Sequence, residues 1–196
     1  LAFFTRVNAA SIVVTTLSDE ILDDGLCSLR EAIVNSNDDA ATYDDCVPGS
    51  GEDFISFDEL LGEGTIILTS ALPSISDLDG LTINGGESIA INGNDLYQIF
   101  HIEQDVPATL SNLIIEHGYG ENGGGIYSSG ALVISNCIVN NNQSTSSGGG
   151  LYNYLGTINI TDSSFSNNIS GGSGGGIYNL GKHEGSNHIL NSQITD

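Results

Sequence analysis

Carboxylates are the residues in this sequence with the clearest capacity for chemistry. Asp19, Glu20, Asp23 and Asp24 form one cluster, Asp38, Asp39, Asp44 and Asp45 a second, and Glu52, Asp53, Asp58 and Glu59 a third. Oxygen donors in such numbers suit a hard cation, so calcium is the metal to consider, with the Asp19 cluster as its candidate site. None of the three has the spacing of an EF-hand loop or of a glycine-aspartate β-roll repeat. Their other reading is a solvated acidic face that keeps a protein in solution.

Acid–base catalysis asks for more. Cleavage of an acidic polysaccharide by elimination needs an Arg or Lys base beside the acids, and hydrolysis needs two facing carboxylates. Past the first ten residues the bases are Arg30, inside a helix-start motif, and Lys182, inside a Gly-rich stretch. Glu116 beside His117, Asp162, and Glu184 beside His183 are the acids of note in the second half, and no two share an aligned repeat position. No catalytic residue is assigned. Three Lys and Arg against 25 Asp and Glu give a net charge of -22, which repels polyuronates, nucleic acid and anionic membranes alike. Sixteen of the 25 acids lie between Asp19 and Asp79, so the front of the chain is acidic and the back nearly neutral.

The elements that position these residues are read from repeats. Gly123-Gly124-Gly125-Ile126-Tyr127, Gly148-Gly149-Gly150-Leu151-Tyr152 and Gly174-Gly175-Gly176-Ile177-Tyr178 are three copies of one motif, with tyrosines 25 and 26 residues apart. Leu110-Ser111-Asn112-Leu113, Ile134-Ser135-Asn136-Cys137, Ile160-Thr161-Asp162-Ser163 and Ile189-Leu190-Asn191-Ser192 run in a second register. A period near 25 fits a leucine-rich repeat or a β-solenoid. Gly-, Asn- and Ser-rich stretches such as 140–150 are poor helix formers, which favours the solenoid. Strand alternation then sends Ile126, Leu151 and Ile177 inward and stacks Tyr127, Tyr152 and Tyr178 outside as a ladder that could bind a sugar or a partner protein. Asn112, Asn136, Asp162 and Asn191 line up at a turn, where Asn accepts left-handed backbone and can bridge coils through its side-chain amide.

The front half reads differently. Ser28-Leu29-Arg30-Glu31 is a capping box, opening a helix to about Asn35 whose apolar residues Leu29, Ala32 and Ile33 need a partner, the open end of the column. A strand is expected over 11–16, with the coils beginning at Phe54. Cys27 and Cys46 bracket an acidic loop and are expected to form a disulfide, while Cys137 reads as a small buried hydrophobe. Residues 1–10 resemble the end of a signal peptide or serve as a retained strand, residues 11–80 form the cap and first coils, and 81–196 the regular coils. Asn142, Asn159 and Asn168 each open a glycosylation sequon. No stretch is apolar for the roughly 20 residues of a membrane helix.

Cys27-Ser28-Leu29-Arg30-Glu31-Ala32 matches, letter for letter, the motif of the CSLREA domain, found near the N-terminus of exported β-helix proteins. The Gly-Gly-Gly-Ile-Tyr copies, with Phe165-Ser166-Asn167-Asn168 and Val139-Asn140-Asn141-Asn142, resemble the repeats of polymorphic outer-membrane proteins. The resemblance implies an all-β fold, a right-handed parallel β-helix with a short N-terminal capping helix, together with export, the Cys27 to Cys46 disulfide and a role at the cell surface or in a matrix. It carries no catalytic residues and no cofactor.

Three functions follow. The sequence stops at Asp196 within a coil, and an uncovered coil invites head-to-tail stacking into an extracellular fibre, with the chain as its own partner. An adhesin or glycan-binding module would use the tyrosine ladder on surface proteins or glycans. A polysaccharide lyase is the least favoured.

Overall fold

A computed structural model describes residues 9–181 and 187–195, with 87 and 88 by backbone alone. It is a β-solenoid of about five turns with one short helix near its N-terminus. The first eight residues, Lys182, His183 and Glu184 lie outside the described residues.

The main sheet stacks Ser11–Val14, Asp53–Phe57, Leu81–Asn92, Pro107–Glu116, Ile138–Asn140, Ser164–Ser166 and Gln193–Thr195, each parallel to the next. Ala131–Ser135, Thr157–Thr161 and His188–Leu190 continue the first half of Pro107–Glu116 in the same sheet. A second sheet holds Phe100–Ile102, Ile126–Ser128, Leu151–Tyr154 and Ile177–Leu180, and a third holds Tyr119–Asn122, Gln143–Ser147 and Ile169–Ser170. The column therefore starts a coil earlier than the sequence predicts, because Ser11–Val14 pairs directly with Asp53–Phe57.

Registry between coils makes the core. Ile12, Ile55, Ile83, Leu110, Ile134 and Ile160 stack in one unbroken row, each fully buried, and Ile91, Ile115, Val139 and Phe165 form another. Full burial of each such side chain contributes about 1.5–3 kcal/mol before entropy is charged. Ile189 and Ile194 continue the two rows but are 44% and 46% exposed.

The corners explain the repeat's composition. Asn112, Asn136, Asp162 and Asn191 adopt φ of 54°, 52°, 51° and 49°, a region that Asn and Asp tolerate at low cost. Each glycine triplet opens with positive φ, at Gly123, Gly148 and Gly174. Its second glycine faces a neighbouring backbone: a Cβ on Gly149 would sit 2.4 Å from the Ile169 carbonyl oxygen and 2.6 Å from that of Gly175.

The cap helix spans Leu29–Asp38, three residues longer than the sequence predicts. Ser28 Oγ accepts from Glu31 N at 3.3 Å and Glu31 Oε2 accepts from Ser28 N at 2.9 Å, so both halves of the capping box are made. Leu29, Ala32 and Ile33 are buried, and the helix packs on Ser11–Val14 and Asp53–Phe57. Cys27 and Cys46 form a disulfide, and the loop it closes is also tied by Asn35, whose Nδ2 donates to the carbonyls of Tyr43, Cys46 and Val47.

Candidate functional site

The second sheet carries the aromatic ladder. Tyr127 stacks on Tyr152 at 5.5 Å between ring centroids and Tyr152 on Tyr178 at 5.2 Å, with interplanar angles of 13° and 10°. His101 extends the stack to the preceding coil at 4.6 Å from Tyr127, and Tyr154 lies beside Tyr152 at 6.4 Å. His101 is absent from the sequence-based ladder, although its place between Phe100 and Ile102 repeats the alternation of Ile126 and Ser128 around Tyr127. Burial raises the phenol pKa of Tyr127 and of Tyr152, each helped by neighbouring tyrosines, and burial lowers that of the His101 imidazole against a small opposing effect of Glu103. All three tyrosines are half-buried, because the faces of the inner rings are covered by one another. What the ladder offers to solvent is a row of ring edges and hydroxyls.

The turn residues take the left-handed backbone expected of them but bridge coils differently. Asn136 and Asp162 bridge coils through their backbone, each N–H donating to a carbonyl of the next coil, Thr161 and Leu190, at 3.2 Å. Among the described residues, Asn112 is the one of the four that makes a side-chain amide bridge, from Nδ2 to Asn84 Oδ1 at 2.9 Å. The amide ladder that spans coils lies inside the column. Asn142 Oδ1 accepts from Gly118 N at 2.8 Å, its Nδ2 donates to the Ile115 carbonyl at 3.0 Å and to Asn168 Oδ1 at 3.0 Å, and Asn168 Nδ2 donates to the Val139 carbonyl at 2.9 Å. Gly125 and Gly150 make room for it, since a Cβ on either would lie 3.0 Å from the amide of Asn142 or Asn168. Asn142 and Asn168 are 0% and 3% exposed, so of the three sequons only Asn159 presents its amide to solvent in the folded chain.

The cysteine row continues as a hydroxyl row. Cys137 Sγ, Ser163 Oγ and Ser192 Oγ each donate to the carbonyl two residues back, and Ser163 Oγ accepts from Cys137 N at 3.1 Å. Burial pushes the Cys137 thiol up to about 11.

The acidic clusters are rearranged most. Asp19 is buried and paired with Arg30, whose Nη2 donates to Oδ2 at 2.7 Å and Oδ1 at 2.9 Å, while Thr69 N donates to Oδ2 at 2.7 Å. A carboxylate so engaged has little left for an ion, and Glu20, Asp23 and Asp24 stay exposed around it. The calcium site proposed for that cluster is therefore corrected: its one buried member already serves a structural ion pair. Arg30 also donates to the Ser70 and Ala71 carbonyls, fastening the helix to the turn after Gly64–Ile67. The carboxylates that the fold does bring together are Asp39, Asp53 and Asp77, which offer oxygens within 4.8 Å of one another. Burial raises the Asp77 pKa from its ordinary value against the hydrogen bond from Asp79 N, with smaller contributions from the charges of Asp39, Asp53 and Asp79.

A groove of about 510 Å³ between the first coils is lined by Asp58, Glu59, Glu63, Phe57 and Ile89 with three glycines. No helix among the described residues is long and apolar enough to cross a membrane.

Residues 136–154 and 162–180 match the Chlamydia polymorphic membrane protein repeat. The two matches begin at successive left-handed corners, Asn136 and Asp162, and end within successive strands of the tyrosine sheet, so each covers most of one coil. No curated protein and no solved structure matches the chain. Repeats of this kind on a β-solenoid are those of a surface-associated protein, structural or adhesin-like.

Proposed function

We propose that the chain is a non-enzymatic structural protein of the cell exterior, which extends into a filament by coil-on-coil stacking. The supporting observation is translational: the isoleucine rows, the glycine corners, the tyrosine ladder and the buried asparagines each repeat from coil to coil in matching register. A surface built this way presents at each level the complement of the level above, which is the condition for a head-to-tail contact that does not close. Of the acids considered for catalysis, Glu116 accepts through Oε1 from Asn92 Nδ2 at 3.1 Å. The CSLREA-like segment supports export, and its Cys27–Cys46 disulfide suits an oxidising compartment.

Sedimentation velocity and electron microscopy of the purified chain test this. Filaments of one-column width, growing with concentration, are expected; monodisperse monomers at high concentration would count against it.

A second reading, an adhesin, is favoured by Tyr154, which lies beside the ladder and is 42% exposed. Glycan-array binding that disappears in Tyr152→Ser and Tyr154→Ser would support it, and binding unchanged by both would remove it.

A further inference from the structure

Three aspartates distant in sequence meet where the cap helix joins the column. Asp39 is the C-cap of the helix, in left-handed conformation at φ 49°, Asp53 opens the strand Asp53–Phe57, and Asp77 lies in the loop before Leu81–Asn92. A backbone N–H holds one oxygen of each. Asp39 Oδ1 accepts from Gly51 N at 2.8 Å, Asp53 Oδ1 from Ser50 N at 2.9 Å and Ala10 N at 3.1 Å, and Asp77 Oδ1 from Asp79 N at 2.9 Å.

The remaining oxygens of the two inner residues distinguish this group from an ordinary acidic patch. Asp53 is 1% and Asp77 6% exposed, and Oδ2 of each is buried with no hydrogen-bond partner. A buried carboxylate oxygen without a donor is costly, and two beside a third carboxylate are costlier. Among the described residues no cationic side chain is paired with any of the three. The C-terminal end of a ten-residue helix adds its partial negative charge at the same place. Gly49 is buried against this group, where a Cβ would lie 2.7 Å from Asp53 Oδ2 and 2.2 Å from the Asn35 carbonyl oxygen, so only glycine allows the loop to pack this closely on the helix end.

The geometry points to a divalent cation site formed by Asp39, Asp53 and Asp77, with Ca²⁺ as its ligand. All the donors are oxygens, and they come from a helix cap, a strand end and a loop, a mixed set that suits the tolerant coordination of calcium better than the strict octahedron of Mg²⁺. Asp39 is exposed and gives the ion and its remaining waters a way in. An ion there would join the helix, the first coils and, through Ala10, the entry to Ser11–Val14. It is a different site from the Asp19 cluster and does not depend on filament formation.

The test uses the whole chain with its disulfide intact, stripped with EDTA and dialysed. Calorimetric titration with Ca²⁺ should give one site per chain, with a dissociation constant on the order of 10⁻⁴ M. Millimolar Ca²⁺ should raise the melting temperature by roughly 5 °C. Asp39→Asn keeps the acceptor for Gly51 N and tolerates left-handed backbone, so it should fold while losing at least about tenfold in affinity and most of the thermal shift. Asp23→Asn, on the exposed acidic surface, should retain both. Absence of a calcium-dependent shift in the unaltered chain overturns the proposal. So does an equal shift in Asp39→Asn, which would reduce the effect to screening of the overall negative charge.

Discussion

Asn168 Oδ1 accepts two hydrogen bonds from Asn142 on the preceding coil, one from the side-chain amide and one from the backbone N–H, each at 3.0 Å. The pair lies inside the column, where water cannot replace either bond.

Asn142→Ala should therefore be among the most damaging single changes. It leaves Gly118 N without its side-chain acceptor, removes the amide donor from the Ile115 carbonyl, and leaves Asn168 Oδ1 with the backbone N–H of residue 142 as its remaining donor from that coil. A loss of roughly 2–4 kcal/mol is expected, read by urea denaturation. Asn159→Ala, at an exposed strand position, should change stability by less than about 0.5 kcal/mol in the same measurement.

Two glycine substitutions should separate backbone conformation from crowding. Gly25 has φ of 80° with open space around a Cβ, so Gly25→Ala should cost only about 1–2 kcal/mol. Gly149→Ala drives a methyl group between two backbone carbonyls of the next coil, and a cost above about 3 kcal/mol, or failure to fold, is expected. Equal melting temperatures for the two variants would show that close coil approach is not what selects the second glycine.

Cys137 predicts an alkaline limit. Its thiol ionises at about 11 in the fold against 9 when free, so below pH 9 both states are protonated and the fold has its full stability. As pH rises from 9 to 11 the unfolded chain releases this proton first, and of order 2–3 kcal/mol is lost. Cys137→Ser should remove that slope at little cost, because Ser163 and Ser192 already occupy the same row and make the same bond two residues back. Iodoacetamide at pH 8 should label Cys137 only after denaturation.

Arg30→Lys tests whether the cap depends on shape as well as charge. Lysine cannot bind both Asp19 oxygens and the carbonyls of Ser70 and Ala71 from one planar group. A loss of about 2–3 kcal/mol is expected for Lys and about 3–5 kcal/mol for Ala, which leaves Asp19 buried alone. Identical thermal melts for wild type and Arg30→Lys would refute a geometric role.

The coils were legible in the sequence because motifs recurring once per turn bring like residues into one row. Ile134 and Ile160, or Tyr127 and Tyr152, announce each other by spacing alone. The capping box was equally local. Asn142 and Asn168 each open a sequon, yet an inward amide and a surface amide are the same letter, and only the hydrogen-bond partners across coils tell them apart. Asp19 was grouped with its sequence neighbours, yet its charge is taken by Arg30 on the helix. Asp39, Asp53 and Asp77 sit in separate acidic stretches and meet only because the helix ends over the first coils.

Registry between Ala131–Ser135 and Thr157–Thr161 has a consequence for size. Residue for residue the two strands superpose along the axis, so excising 131–156 would set Thr157 where Ala131 had been and return each inward side chain to its row. Excising one residue more or fewer would turn the interior outward. The height of this molecule is thus a whole number of rungs, each about 4.8 Å, and a lineage of such chains can lengthen or shorten only by counting.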